Sequence, residues 1–125
     1  MKLHAIATAD APSALGPYSQ AIRYGDMLYV SGQLPIVPAT GKLIEGGIRE
    51  QTAQLFSNIR AILEAAGGSL SGIVKVTIFI AEWSDFAAFN DAYAGFFEAP
   101  FPARSTIQNS RPLNALVGAD VIATV

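Results

Sequence analysis

Apolar and polar positions alternate over two short stretches near the N-terminus, and this alternation breaks at Gly25-Asp26. The pattern predicts strands at about Gln20–Tyr24 and Met27–Gln33, joined by a two-residue hairpin. Ahead of them, Ala11 through Pro17 carries two prolines and a glycine, so no ladder can form there. Pro35 to Gly41 reads as a loop closed by a turn. The period then changes. Ile48, Leu55, Ile59, Ile62, Leu63 and Ala66 fall on one helical stripe, which predicts a helix from Ile48 to Ala66. Gly67-Gly68 supplies the left-handed stop.

Alternation returns from Gly72 to Ala81, with Val74, Val76, Ile78 and Ile80 on one face and Ile73, Lys75, Thr77 and Phe79 on the other. Ser84-Asp85 reads as the cap of a second helix running to about Phe97. Phe86, Phe89, Tyr93 and Phe96 share one side of it, a core or interface stripe. Pro100 and Pro102 end that element and admit a strand at Ala103–Asn109. A turn near Pro112–Ala115 leads to a last strand, Leu116–Val125. The order β-β-α-β-α-β-β predicts one domain over residues 1–125. Its class is α+β: a two-layer sandwich with both helices on one face of a mixed sheet. The other sheet face is left without a cover.

Composition sharpens that last point. Of the 125 residues 51% are hydrophobic and only 14% charged, where about a quarter charged is usual. A chain this charge-poor is expected to self-associate and hide its surplus apolar surface. A net charge of −2 and a pI near 5.2 offer no basic footprint for nucleic acid. No apolar run is long enough to span a membrane and no signal-peptide pattern opens the chain, so a cytoplasmic location is expected. With no cysteine and one histidine, His4, the chain has no thiolate nucleophile and no Ser-His-Asp triad or multi-histidine metal site of its own. His4 itself reads as an exposed terminal residue.

Few residues remain to carry chemistry. Arg104, in Pro102-Ala103-Arg104-Ser105-Thr106, opens a strand in apolar surroundings. Its planar fork suits a ligand carboxylate, and a structural ion pair is the competing reading. Tyr18 follows Gly16-Pro17, so its hydroxyl is either placed for binding or simply the exposed tip of a packed ring. Ser31-Gly32-Gln33 ends a strand, as a ligand approach or a β-bulge. Asn90 sits in the second helix, as a placed amide or a solvated residue. Asp120 interrupts the last strand, where a paired or solvent-facing carboxylate is commoner than a general base.

These segments together resemble the RidA/YjgF family of reactive enamine/imine deaminases, also labelled L-PSP endoribonucleases. The resemblance runs from about Ile6 to Val125. It rests on Ala11-Pro12…Leu15-Gly16-Pro17-Tyr18-Ser19-Gln20-Ala21, on Leu28-Tyr29-Val30-Ser31-Gly32-Gln33-Leu34-Pro35, on Asn58 through Gly67, and on Phe101-Pro102-Ala103-Arg104-Ser105. It implies a chorismate-mutase-like sandwich, a homotrimer with ligand clefts between subunits, and no cofactor or metal. It further implies hydrolysis of small 2-imino or 2-enamino acids to a 2-keto acid and ammonia. Arg104 would hold the substrate carboxylate, with Tyr18, Ser31, Gly32, Asn90 and Thr106 lining the cleft. Thr106 stands where the family usually has cysteine, and Gly118 where it has a water-orienting glutamate. Asp120 falls at a second acidic position, expected on the opposite strand face. Without the glutamate, a carboxylate-binding protein with weak or different catalysis is the alternative. The ribonuclease label is disfavoured by the acidic pI and the lack of a histidine base near the motifs.

Overall fold

The first strand pair forms as the alternation requires, with Gly25 turning the hairpin at φ 62° between β2 (Ala21–Tyr24) and β3 (Met27–Gln33). These coordinates are a computed structural model and describe all 125 residues. A strand that the pattern did not suggest, β1 (His4–Ile6), adds antiparallel to β2. His4 is therefore exposed as expected, but it lies in a strand. Three residues are too few to show a period, and their stability comes from pairing with β2.

Residues 8 to 20 link β1 to β2 without regular structure, and one side chain organises them. Gln20 is buried; its Nε2 donates to the carbonyls of Pro12 (2.8 Å), Thr8 (3.1 Å) and Ala11 (3.4 Å). Its Oε1 accepts from the Thr8 amide at 2.7 Å. After β3, the stretch expected as a loop contains a small hairpin of two-residue strands, β4 (Ile36–Val37) and β5 (Lys42–Leu43).

Helix α1 (Ile48–Ala65) buries Leu55, Phe56, Ile59, Ile62 and Leu63 completely. It ends at Gly67, whose φ of 86° is costly for any residue with a Cβ. On the same helix, Asn58 is buried and donates to the carbonyls of Leu34 (3.1 Å) and Ile36 (2.8 Å), while accepting from Gln54 at 2.9 Å. This amide holds the chain as it leaves β3. Asn58→Leu, of similar size, is expected to destabilise the protein by about 2–3 kcal/mol by stranding those groups. Urea unfolding followed by circular dichroism would measure it.

Strand β6 (Ile73–Ile80) departs from strict alternation at its start. Ile73 pairs with Ala123 and Lys75 with Ile122, so Val74 is the extra residue of a bulge. Ile73 is therefore buried and Val74 is 44% exposed, the reverse of the simple expectation. Helix α2 spans Phe86–Ala94, ending before Phe97, and follows a one-turn 3-10 helix at Trp83–Asp85. Asp85 precedes it but makes no side-chain cap, because its own backbone is already helical (φ −86°, ψ −3°). Strands β7 (Ala103–Gln108) and β8 (Val117–Thr124) complete the chain.

Six strands form one mixed sheet in the order β1-β2-β3-β8-β6-β7, with β6 and β7 parallel and the other pairs antiparallel. Helix α1 packs on α2, β3 and β8, and one buried cluster joins both helices to the sheet. The opposite sheet face carries Ile22, Tyr29, Phe79, Ile107 and Ile122 with Lys75, Thr77 and Asp120 among them. None of these residues is buried.

Candidate functional site

Arg104 lies on the edge strand β7, paired in register with Val76, and Thr106 pairs with Ile78. Val76 and Ile78 are fully buried under the helices, so Arg104 and Thr106 lie on the helix-covered face. There three rings of the α2 segment surround the guanidinium. Its carbon is 4.8 Å from the centroid of Tyr93, 5.5 Å from Phe89 and 5.8 Å from Phe86. Such contacts stabilise a cation without neutralising it. The single ion pair of the chain joins Arg49 to Asp91 on the surface, so Arg104 has no acidic partner. Within one chain the structural ion-pair reading of Arg104 therefore finds no partner.

Two polar atoms of the neighbouring helix α2 are also without partners. The Oδ1 of Asn90 and the hydroxyl of Tyr93 are buried and make no hydrogen bond. Asn90 is thus no solvated helix residue. Tyr93 follows it by one helical turn, which brings both to the same side of α2. Burial pushes the Tyr93 hydroxyl above the usual tyrosine range, with the Arg104 charge acting against that shift. Tyr93 was visible in the sequence only as one member of an aromatic stripe. Its spacing of three from Asn90 was the signal that could have separated it from the core residues.

The other candidates sit elsewhere. Tyr18 is 50% exposed, and its hydroxyl accepts from the Leu15 amide at 3.2 Å. Ser31 donates its hydroxyl to the Ser19 carbonyl at 2.6 Å, which ties β3 to the Tyr18 loop. A bulge falls between Val30 and Gln33, and Gly32 within it is exposed, with open space where a side chain would stand. Strands β8 and β6 separate β3 from β7, about 14 Å at the usual strand spacing. Within one chain, then, Tyr18, Ser31 and Gly32 form one group, and Asn90, Arg104 and Thr106 another.

Gly118 and Asp120 were expected on opposite faces of the last strand. They share one, since residues two apart in a strand point the same way. Gly118 pairs with Phe79, and Asp120 with Thr77, on the sheet face away from the helices. Burial raises the Asp120 carboxyl, opposed by the neighbouring Thr77 hydroxyl and by the Lys75 charge. No acidic side chain fills the space at Gly118. A Cβ there would stand 3.1 Å from Cδ of Arg111 and 3.1 Å from the Gln33 carbonyl. Arg111, which no motif singles out, lies with its guanidinium carbon 4.5 Å from the centre of the Phe79 ring. No helix is long and apolar enough to cross a membrane.

Comparison with known proteins identifies the family. The family model described as Endoribonuclease L-PSP matches residues 8–125. A RutC family protein of Pyrococcus horikoshii is 46% identical over 94% of this chain and 94% of its own length. A protein named 2-iminobutanoate/2-iminopropanoate deaminase, from Dermatophagoides farinae, is 43% identical over 96% of this chain and 94% of its own. Among solved structures, RidA from an Antarctic Psychrobacter superimposes with a TM-score of 0.93 at 41% identity, covering 98% of this chain and 99% of that one. The α+β fold, with two helices on a mixed sheet, is thus shared by proteins far more than a quarter identical, and the chain belongs to the RidA/YjgF family.

Proposed function

We propose that the protein hydrolyses small 2-imino and 2-enamino acids to 2-keto acids and ammonia, at a cleft completed by a neighbouring copy in a homotrimer. The observation that carries this reading is the unneutralised guanidinium of Arg104, held against the rings of α2, the helix that also carries the unpartnered Asn90 and Tyr93 oxygens. A partly buried cation with no acidic partner is suited to an anionic ligand, and the rings hold its fork ready for a carboxylate. The relative from Dermatophagoides farinae bears the name of a deaminase of such acids.

The enamine first tautomerises to the imine. Water then adds to the imine carbon, the nitrogen takes up a proton, and the C–N bond breaks to release ammonia and leave the keto oxygen. Arg104 holds the carboxylate, so the reacting carbon, one bond away, is fixed in place. Confining one water beside it lowers the barrier by proximity, with no covalent intermediate. Thr106 lies next along the same strand face, and Tyr18, Ser31 and Gly32 of another copy would close the cleft.

Two features support the assembly. The candidate residues divide into two groups across the sheet, and the uncovered face is rich in Ile, Tyr and Phe. Packing those faces about a threefold axis would bury them and bring the two groups of neighbouring copies together. A second reading, a binder of small keto acids with weak catalysis, is favoured by Gly118, which brings no carboxylate to orient the water. The test generates 2-iminobutanoate in situ and follows its loss. The wild type is expected to accelerate that loss well beyond the spontaneous rate, and to scatter light as three times 13.1 kDa. A rate equal to the spontaneous one would remove the deaminase reading and leave the binder.

A further inference from the structure

Arg104 is one of two arginines in this chain set against aromatic rings and lacking an acidic partner. The other is Arg111. Its Nε is already engaged, donating to Asn109 Oδ1 at 3.1 Å and to the Ser110 carbonyl at 3.2 Å. Its two terminal nitrogens make no hydrogen bond within the chain. The guanidinium is partly buried and rests on Phe79, on the sheet face away from the helices. Together with Glu82, Gln108, Asn109 and Asn114 it lines a cavity of about 410 Å³; Glu82 is exposed and lies outside ion-pair distance.

Gly118 makes this placement possible. Any side chain there would meet the Arg111 stem and the Gln33 carbonyl, each 3.1 Å from the first added carbon. The same closeness sets Arg111 beside the end of β3, next to the Ser31–Gly32 bulge. Arg111 thus presents a cation with two free donor groups, and neither Glu82 at the cavity nor Asp120 on the same sheet face forms an ion pair with it.

We propose that Arg111, admitted by Gly118, forms a second anion subsite, and that the preferred substrates are 2-imino acids carrying a second carboxylate. One carboxylate is held by Arg104, and the distal one is met by Arg111 from the adjoining copy. The proposal rests on the imine-hydrolysis reading and on its shared cleft, and it adds the substrate class. A cation stationed there rewards a distal anion, whereas a neutral or apolar side chain gains nothing from it.

The test compares imines of alanine and of aspartate, each released in situ by an amino acid oxidase, on wild type, Arg111→Gln and Arg111→Lys. The wild type is expected to prefer the dicarboxylic imine in kcat/KM. Arg111→Gln is expected to lower the ratio of dicarboxylic to monocarboxylic kcat/KM by about tenfold or more, as loss of a charged hydrogen bond does. Arg111→Lys should restore part of that ratio. A variant that is merely misfolded lowers both rates and leaves the ratio intact. An unchanged ratio in an Arg111→Gln variant that keeps its rate on the monocarboxylic imine, or a wild-type preference for the monocarboxylic imine, overturns the proposal.

If the wild type accelerates neither imine, the hydrolysis reading fails and binding decides the subsite separately. Oxaloacetate and 2-oxobutanoate are then titrated by calorimetry. A dicarboxylate preference lost in Arg111→Gln sustains the subsite, and equal affinities refute it.

Discussion

Arg104→Ala is expected to reduce kcat/KM for a 2-imino acid by about 100-fold or more, the loss of a bidentate charged contact to the carboxylate. The same change takes away a cation that has no acidic partner and is held only by ring faces. Stability should therefore fall far less than activity, since no buried counter-charge is stranded. Arg104→Lys keeps the charge but loses the fork and the flat stacking surface, so a partial loss is expected, chiefly in KM. Initial rates on imine generated in situ, with melting curves of each variant, separate the two effects. An alanine variant as active as the wild type would show that the guanidinium does not bind the substrate.

The largest effect on stability is expected from Phe56→Ala. Phe56 is fully buried in α1, with ring centroids 5.4 Å from Phe96, 5.5 Å from Tyr93 and 5.7 Å from Phe97. Removing it costs about 3–5 kcal/mol through lost transfer energy and the cavity left behind. At roughly 3–5 °C per kcal/mol for a chain of this length, Tm should fall by about 10–25 °C. The measurement is a thermal melt at fixed protein concentration, because the proposed self-association would make Tm depend on it. Activity should suffer as well. Tyr93 touches both Phe56 and Arg104, so loosening its support loosens one wall around the guanidinium.

The sequence is a good guide to this fold where burial is periodic and a poor one where a local contact decides. Helix α1 and strands β3, β6 and β8 were legible because each has one face under the helix layer, and that face prints a period on the chain. The bulge that turns Val74 outward left no mark, because Ile73 and Val74 are equally apolar. The hairpin β4-β5 and the edge strand β1 were too short for any period. For the site, Arg104 stood out as a charge among apolar residues. Its aromatic surroundings did not, since a ring beside a cation and a ring in a core share the same helical spacing. Arg111 was invisible because its position depends on an absence of side chain seven residues further along, at Gly118.

The amide of Gln20 has a consequence for how the protein ages chemically. A single nitrogen donating to the carbonyls of Pro12, Thr8 and Ala11 replaces the ladder that residues 8–20 lack. Hydrolysis of that amide to a carboxylate, a slow spontaneous lesion of side-chain amides, would exchange the donor for an anion facing those same oxygens. The segment that presents Tyr18 would then be repelled from its anchor. The attachment of that segment is expected to last no longer than one C–N bond in a buried side chain.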